Sequence, residues 1–295
     1  MTAAGSARAL VALLRLPYWL MTGGLSLLTA FAITKAPFSL NVQTILLIFF
    51  SMAFITSAGF AINDYFDRES DAVIKPKRPI PSGAMSLKQV VAVSGVLFAV
   101  GLVMAAFINW LSFVIIAVDS LLLLVYSYMV KRKSGFVANI LVGILTGTAF
   151  MFGEATVTNN LSIISLSLYP IAFGTIGGNV LRDILSVDGD SKVGYPTLPQ
   201  KIGSVSAAKV GAVFFLLTGL LAPLPAIPFF VGHFTIYYLP LILLWSILLI
   251  YSSVRLITSG STIQNIRKYE RLVTMTMILL PLALIVEAVL GGWLL

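Results

Sequence analysis

The chain has 295 residues, of which 59% are hydrophobic and only 10% are charged, whereas roughly 25% of the residues of an ordinary soluble domain are charged. This composition and a mean hydropathy of +1.01 exclude a soluble globular protein and predict a polytopic bundle of membrane helices. The chain has no cysteine and a single histidine, His233, which excludes disulfides, thiolate zinc sites and histidine clusters. Any bound metal ion must therefore be held by oxygen atoms.

Nine apolar segments are long enough to cross a bilayer as α-helices. In chain order they lie near residues 14–34, 42–63, 88–107, 110–130, 137–156, 161–181, 206–228, 234–256 and 272–294. The sequence therefore predicts one all-α domain over residues 1–295, built as a bundle of nine transmembrane helices. The first segment has some features of a cleaved signal peptide. We expect it to be retained, because Arg15 and Pro17 interrupt it and its apolar part is too long.

The basic residues predict how the bundle is oriented. Of the 19 Lys and Arg residues, all except Lys35 lie near the N-terminus or in the loops that follow spans two, four, six and eight. Positively charged loops stay in the cytoplasm, so the N-terminus and these loops are predicted to be cytoplasmic and the C-terminus to lie outside the cell. The net charge of +8 thus reflects the membrane topology of an integral protein of the cell membrane. It does not indicate a nucleic-acid partner.

Most of the 11 acidic residues occupy two short segments, which follow spans two and six. In the first, Asn63, Asp67 and Asp71 are four residues apart and share one face of a helix. In the second, Asp183 and Asp190 share a face if the segment is helical. Two carboxylate faces at the same membrane surface repel each other unless a cation lies between them.

Each acidic segment is followed by a similar stretch rich in basic residues and proline, residues 75–83 and 192–199, so the chain resembles a duplicated half-site. A solvated loop whose acids pair with nearby Lys and Arg is the simpler explanation for one such cluster. Acids that directly continue two membrane spans are more often functional. Few carboxylates among basic residues suit Mg²⁺ bound together with substrate phosphates, and the pattern therefore predicts a substrate that carries a diphosphate.

The first segment has the pattern Asn-Asp-x-x-Asp-x-x-x-Asp, and Arg-Pro-Ile-Pro-Ser-Gly follows at residues 78–83. Both resemble motifs of the UbiA superfamily of intramembrane prenyltransferases, whose nine helices with cytosolic Asp motifs after helices two and six match this chain. The second family motif, Asp-x-x-Asp-x-x-x-Asp, is met at Asp183 and Asp190, but Ser186 stands in its middle position. This departure leaves the second cluster one carboxylate short, and Asp188 is a candidate to compensate.

The resemblance implies which residues bind the metal ion and the substrate. The implied Mg²⁺ ligands, most of which are also the implied catalytic residues, belong to the two motifs: Asn63, Asp67, Asp71, Asp183 and Asp190. Lys131 is a further implied catalytic residue, although a lysine side chain that reaches the membrane surface also explains it. The other implied substrate-binding residues lie near the same ends of the spans: Asn63, Asp64, Arg15, Arg78, Tyr126, Ser127, Arg182 and Asn139. Hydrogen bonding at a helix end explains Asn139 equally well.

The resemblance also implies the reaction. Residues 62–69, 133–136 and 145–150 look most like the archaeal ether-lipid enzymes, which transfer geranylgeranyl from its diphosphate to geranylgeranylglyceryl phosphate. Within the family, an aromatic acceptor of the hydroxybenzoate, naphthoate or chlorin type is the alternative. A cation or proton transporter is the alternative of another class, since duplicated halves and intramembrane acids also occur there. Acids concentrated at one membrane face favour the enzyme.

Several other residues carry smaller expectations. Asp119, in the middle of span four, is expected either to form a structural hydrogen bond or to line the substrate site. Glu154 and Glu287 are expected at the opposite membrane interface, and Trp19 and Trp110 as interfacial anchors. Pairs of glycines are expected to let neighbouring helices approach closely: Gly143 with Gly147, and Gly174 with Gly178.

Overall fold

A computed structural model describes residues 3–192, 194–258 and 262–294. In this part of the chain all regular structure is helical, and nine helices are long and apolar enough to cross a membrane. They are α1 (Ala7–Thr34), α2 (Val42–Phe66), α3 (Leu87–Ile108), α4 (Trp110–Lys133), α5 (Gly135–Thr158), α6 (Ile163–Leu185), α7 (Ser204–Ala226), α8 (Leu239–Thr258) and α9 (Ile263–Leu290). The predicted all-α class and the number of spans are confirmed.

The nine helices form a closed ring. Each helix packs against the next one in the chain, and α9 packs against α1. Helix α1 also packs against α5, where Gly153 lies so close to α1 that an added Cβ would be 2.5 Å from the carbonyl oxygen of Ser26. The ring brings the ends of α2, α4 and α6 to the same end of the bundle, which we call the acidic end because Asp67 and Asp183 lie there.

Helix α1 is interrupted near the acidic end. A helix over Ala3–Leu14 ends where Arg15 adopts a left-handed backbone conformation with φ of 50°, and a new helix begins at Pro17. The carbonyl oxygen of Leu14 accepts a hydrogen bond of 2.7 Å from Ser57 Oγ of α2. The break at Arg15 thus agrees with the interruption expected from the sequence.

Two helices contain a π-helical turn, Leu20–Gly24 in α1 and Tyr126–Val130 in α4. Such turns often occur at functional sites because they redirect side chains. The second includes Tyr126 and Ser127, two of the implied substrate-binding residues.

Helix α9 begins at Ile263, and the predicted start at residue 272 was wrong. Its first turns carry Arg267, Lys268 and Arg271 on an exposed face, whereas Ile266 and Tyr269 are buried. A helix that leaves the membrane can continue in this amphipathic form, so the charged residues do not mark its end.

The acids at the opposite end of the bundle do not lie at an exposed interface as expected. Glu154 and Glu287 are both buried, and each carboxylate caps a neighbouring segment. Glu154 accepts hydrogen bonds from Ser162 Oγ and from the backbone N–H groups of Ser162 and Ser165, at the start of α6. Glu287 accepts from the backbone N–H and the hydroxyl of Thr235. Buried carboxylates are stable here because these donors satisfy them.

Trp19 also has a more specific role than an interfacial anchor. Its Nε1 donates a 2.6 Å hydrogen bond to Ser57 Oγ, and its ring packs edge-on against Phe50 and Phe54. Trp19 therefore fastens α1 to α2 just below the break at Arg15.

The glycines give a test of the packing between α1 and α5. Gly153→Ala is expected to lower the melting temperature of the purified protein, because the new methyl group would overlap the Ser26 carbonyl and overpacking costs about 1–3 kcal/mol. Gly178 does not lie at a close helix contact as expected, because an added Cβ there meets nothing within 4 Å. Gly178→Ala is therefore the matched control, since alanine is the better helix former. Equal melting temperatures for the two variants would contradict the close approach of α1 and α5.

Candidate active site

The first acidic segment keeps its helical register beyond the end of α2. The backbone N–H of Asp67 donates to the carbonyl of Asn63 at 2.9 Å, and that of Asp71 donates to the carbonyl of Asp67 at 2.8 Å. A short helix over Arg68–Ile74 therefore continues the direction of α2, and Asn63, Asp67 and Asp71 share one face as predicted. The Asn63 side-chain amide also donates to Asp67 Oδ2 at 2.8 Å.

The three aspartates of this segment are buried, and each contacts a basic side chain from another part of the chain. Asp64 Oδ1 accepts from Arg15 at 2.6 Å and from Arg78 at 2.8 Å. Arg78 also contacts Asp71 Oδ2, and the ammonium group of Lys131 contacts Asp67 Oδ2. Burying a charge is costly unless an opposite charge accompanies it, so these cations offset part of the cost of burying the three acids.

The left-handed backbone of Arg15 directs its side chain towards Asp64. The guanidinium group lies 4.3 Å from the centre of the Phe60 ring while it donates to Asp64. A non-glycine residue in this conformation is strained, by about 1 kcal/mol or more, and such strain persists where the surrounding contacts hold it. The ion pair with Asp64 and the contact with Phe60 are contacts of this kind.

The second acidic segment is built differently. Helix α6 ends at Leu185, and a short helix over Val187–Lys192 follows, so the two acids belong to separate helices. Asp183 Oδ2 accepts from the Asn139 side-chain amide at 2.7 Å, and Asp190 Oδ2 accepts from Ser186 Oγ at 2.6 Å. In the described part of the chain neither acid forms an ion pair. The positive charges of the site are therefore concentrated on its first half.

A small cavity of about 110 Å³ lies between the two halves at the acidic end. Five of the predicted site residues line it: Tyr126, Lys131, Asn139, Asp183 and Asp190. Tyr195 and Thr197, which the sequence analysis did not select, complete the polar part of the wall. Helices α4, α5 and α6 and the short helix over Val187–Lys192 therefore place an amide, two carboxylates and a lysine around one space of the size of a few water molecules.

Tyr195 joins the two halves. Its hydroxyl donates to Asp67 Oδ1 at 2.8 Å and forms a second hydrogen bond of 2.8 Å with Ser70 Oγ. Burial, together with the nearby carboxylate of Asp67, raises the pKa of Tyr195 above its ordinary range, so the hydroxyl remains a donor. Its place in the basic, proline-containing stretch after the second acidic segment was the only signal in the sequence, because no spacing pattern marks it.

Outside the first acidic segment, three further predicted or candidate residues are not part of the cavity wall. Arg182 points towards α9, where it donates to Glu270 at 2.9 Å and to Thr274 at 3.2 Å. Asp188 is exposed and does not line the cavity. The hydroxyl of Ser127 donates to the backbone carbonyl of Leu123 within α4.

Asp119 is buried in the membrane-spanning part of α4. Its Oδ2 accepts a hydrogen bond of 2.8 Å from Thr148 Oγ1 of α5, and the residue is not part of the cavity wall. Of the two expectations for Asp119, the structure thus favours a hydrogen bond that links two helices.

The oxygen atoms of the first segment fit a metal ion. The Oδ1 atom of Asn63 is buried and has no hydrogen-bond partner, which is costly unless a ligand uses it. In the part of the chain that the structure describes, no three acidic side chains come close enough together to hold a metal ion unaided. This donor set suits Mg²⁺, which binds few carboxylates and completes its shell with water and substrate phosphates.

Comparison with known proteins agrees with this geometry. Residues 9–291 match the model of the UbiA prenyltransferase family, and the chain therefore belongs to that family of membrane prenyltransferases. A digeranylgeranylglyceryl phosphate synthase of Natronomonas pharaonis is 36% identical over 220 residues, which are 74% of this chain and 77% of the relative.

Solved structures show the same fold. A structure described as that of digeranylgeranylglyceryl phosphate synthase in membranes has a TM-score of 0.81 and 28% identity, and the match covers 96% of this chain and 99% of that chain. A UbiA homolog from Archaeoglobus fulgidus, solved with bound DMAPP and Mg²⁺, has a TM-score of 0.65 and 20% identity over 94% of this chain and 98% of that chain.

Of the three arginines that the resemblance implies as substrate-binding residues, Arg78 and Arg182 should behave differently. Arg78→Gln is expected to slow prenyl transfer about tenfold or more, because it leaves Asp64 and Asp71 buried with less compensating charge. Arg182→Gln should stay within about twofold of the wild type, since its ion pair with Glu270 is half exposed and such pairs contribute little. Initial rates at saturating substrate test both variants. A large loss in Arg182→Gln with normal Arg78→Gln would contradict the geometry.

Proposed function

We propose that this prenyltransferase transfers a geranylgeranyl group from its diphosphate to the hydroxyl group of geranylgeranylglyceryl phosphate, with Mg²⁺ as cofactor. The observation that carries the proposal is the cavity at the acidic end, where Lys131, Asp183 and Asp190 meet next to Asp67. The similarity to digeranylgeranylglyceryl phosphate synthases supports the choice of donor and acceptor. The distribution of basic residues supports a cytoplasmic acidic end.

The residues that would hold Mg²⁺ are those of the two motifs, Asn63, Asp67, Asp71, Asp183 and Asp190. The unpartnered Asn63 Oδ1 supports this assignment, and so does the lack of an ion pair at Asp183 and Asp190 within the described residues. When bound, the ion supplies positive charge that stabilises the departing diphosphate. The ion-paired acids of the first segment and the acids of the second segment, Asp183 and Asp190, then lie on opposite sides of the diphosphate.

Lys131 lies where its ammonium group could leave the carboxylate of Asp67 and bind a diphosphate in the cavity. In this structure its ammonium group contacts Asp67 and also lines the cavity. A diphosphate in the cavity carries more negative charge than one carboxylate, so Lys131 would turn towards it and stabilise the charge that develops as the allylic C–O bond breaks. Arg15 and Arg78 would stay paired with Asp64 meanwhile, because their contacts lie outside the cavity wall.

The apolar bundle supplies the other requirement of the reaction. The allylic cation left by the diphosphate must meet the acceptor hydroxyl before it meets water. The nine spans are apolar and expose large apolar side chains to their surroundings, so the polyprenyl chains of both substrates would occupy an environment without bulk water. The hydroxyl loses its proton to solvent or to the leaving diphosphate as the ether bond forms.

A product assay tests the proposal directly. Purified protein is given labelled geranylgeranyl diphosphate with geranylgeranylglyceryl phosphate, hydroxybenzoate or a naphthoate, each with Mg²⁺ or with excess chelator. We expect the ether-linked product with the glyceryl phosphate only, and loss of nearly all turnover with the chelator. Preferred transfer to an aromatic acceptor would contradict the proposed acceptor, and equal turnover with the chelator would contradict the metal assignment.

Asp183 and Asp188 lie on either side of Ser186, the position where the second motif lacks its carboxylate, and they provide a matched pair of variants. Asp183→Asn is expected to reduce turnover by about a hundredfold, because an amide cannot replace an anionic metal ligand on the wall of the cavity. Asp188→Asn should retain nearly wild-type turnover, since Asp188 is exposed and outside that wall. Rates are compared at saturating Mg²⁺ after both variants are shown to have wild-type melting temperatures. Comparable losses in both would show that Asp188 takes part in the site.

A further inference from the structure

The residue that connects the two halves of the site is Tyr195, and nothing in the motifs assigns a role to it. We infer that Tyr195 is a positioning residue that orients both Asp67 and Lys131 for metal and diphosphate binding. The inference rests on the proposed function, because the proposed site gives these two residues their roles. Its hydroxyl and its ring make separate contacts, and each contact has its own consequence.

The hydroxyl fixes the orientation of the Asp67 carboxylate. It donates to Oδ1 at 2.8 Å, while Asn63 donates to Oδ2 at 2.8 Å and Lys131 contacts the same Oδ2. Ser70 Oγ lies 2.8 Å from the same hydroxyl and 2.8 Å from the backbone carbonyl oxygen of Asp67, so its single proton is shared between these two acceptors. Rotation of the carboxylate would break the hydrogen bonds at both oxygens.

The aromatic ring positions Lys131. The ammonium nitrogen lies 4.9 Å from the ring centre, within the distance at which a cation is attracted by an aromatic face. Lys131 is thus held between an aromatic ring and a carboxylate on the wall of the cavity. If it leaves Asp67 for a diphosphate, the ring still limits where its long side chain can go.

The hydrogen bonds from Tyr195 and Asn63 determine the orientation of the Asp67 carboxylate after Lys131 has moved to a diphosphate. Oδ2 then loses its contact with the ammonium group, but Tyr195 and Asn63 still hold the two oxygens in place. The freed position on Oδ2 therefore keeps a fixed direction, and a metal ion meets a preorganised ligand. Preorganisation of this kind raises affinity because little ordering remains to be done on binding.

A purely structural role for Tyr195 makes a different prediction. If the side chain only fastens residues 194–199 to the rest of the protein, its loss lowers stability and leaves metal affinity unchanged. The two roles can be separated with Tyr195→Phe, which keeps the ring, and Tyr195→Leu, which removes both contacts. Tyr128→Phe is the control, because Tyr128 lies on α4 three residues before Lys131 but outside the cavity wall. Its side chain is 66% exposed and packs on Phe66.

The measurement is the binding of Mn²⁺, as a spectroscopic substitute for Mg²⁺, in the presence of a non-reactive geranylgeranyl thiodiphosphate. Free Mn²⁺ is followed by electron paramagnetic resonance, and the Mg²⁺ dependence of turnover is recorded in parallel. Tyr195→Phe is expected to weaken Mn²⁺ binding about tenfold, as expected for a lost hydrogen bond to a charged group, with little change in KM for the prenyl diphosphate. Tyr195→Leu should weaken Mn²⁺ binding similarly and also raise that KM about threefold, since the contact with Lys131 is lost.

The inference would be overturned if Tyr195→Phe bound Mn²⁺ as tightly as the wild type and Tyr128→Phe do. This holds whatever the melting temperature of Tyr195→Phe. A lower melting temperature with unchanged Mn²⁺ affinity would assign Tyr195 the structural role. The proposed function fails separately, if the wild type binds Mn²⁺ and the thiodiphosphate but forms no ether product. A wild type that binds no Mn²⁺ would overturn the inference and the metal assignment together.

Discussion

Buried carboxylates at one end of an apolar helix bundle need compensating charge, and most of this site is organised around that need. Asp64, Asp67 and Asp71 lie on a helix that emerges from the membrane, where an unpaired ion would be unstable. The chain brings three cations to them from three places: the break in α1, the loop after the first motif and the end of α4. The strained backbone of Arg15 is one local cost of that arrangement.

The two halves of the site are related in sequence but complementary in charge. The acids of the first half are neutralised by arginines and a lysine, whereas Asp183 and Asp190 contact only an amide and a hydroxyl in the described structure. A metal diphosphate fits between such halves, because the uncompensated acids attract the ion and Lys131 can turn to the phosphate oxygens. Ser186 contributes to the asymmetry, since it binds Asp190 where the family motif has a third carboxylate.

Features with a regular spacing were predictable from the sequence, and features that depend on one tertiary contact were not. Apolar length and the placement of basic residues predicted nine spans, and a four-residue spacing predicted the shared face of Asn63, Asp67 and Asp71. Tyr195 reaches the site from a loop without periodicity, so its contacts exist only after folding. Arg182 was assigned to the diphosphate from its place next to Asp183, but consecutive residues on a helix point in different directions and its partner is Glu270 on α9.

When a prenyl diphosphate binds, the ammonium group of Lys131 is proposed to move from the Asp67 carboxylate to the diphosphate. A structure of the protein with Mg²⁺ and a non-reactive geranylgeranyl thiodiphosphate tests this movement most directly. We predict that the diphosphate lies between the two acidic segments, with the Lys131 ammonium group on a phosphate oxygen and with Arg15 and Arg78 still on Asp64. A structure in which Lys131 remains on Asp67 and the diphosphate binds elsewhere would contradict the claim.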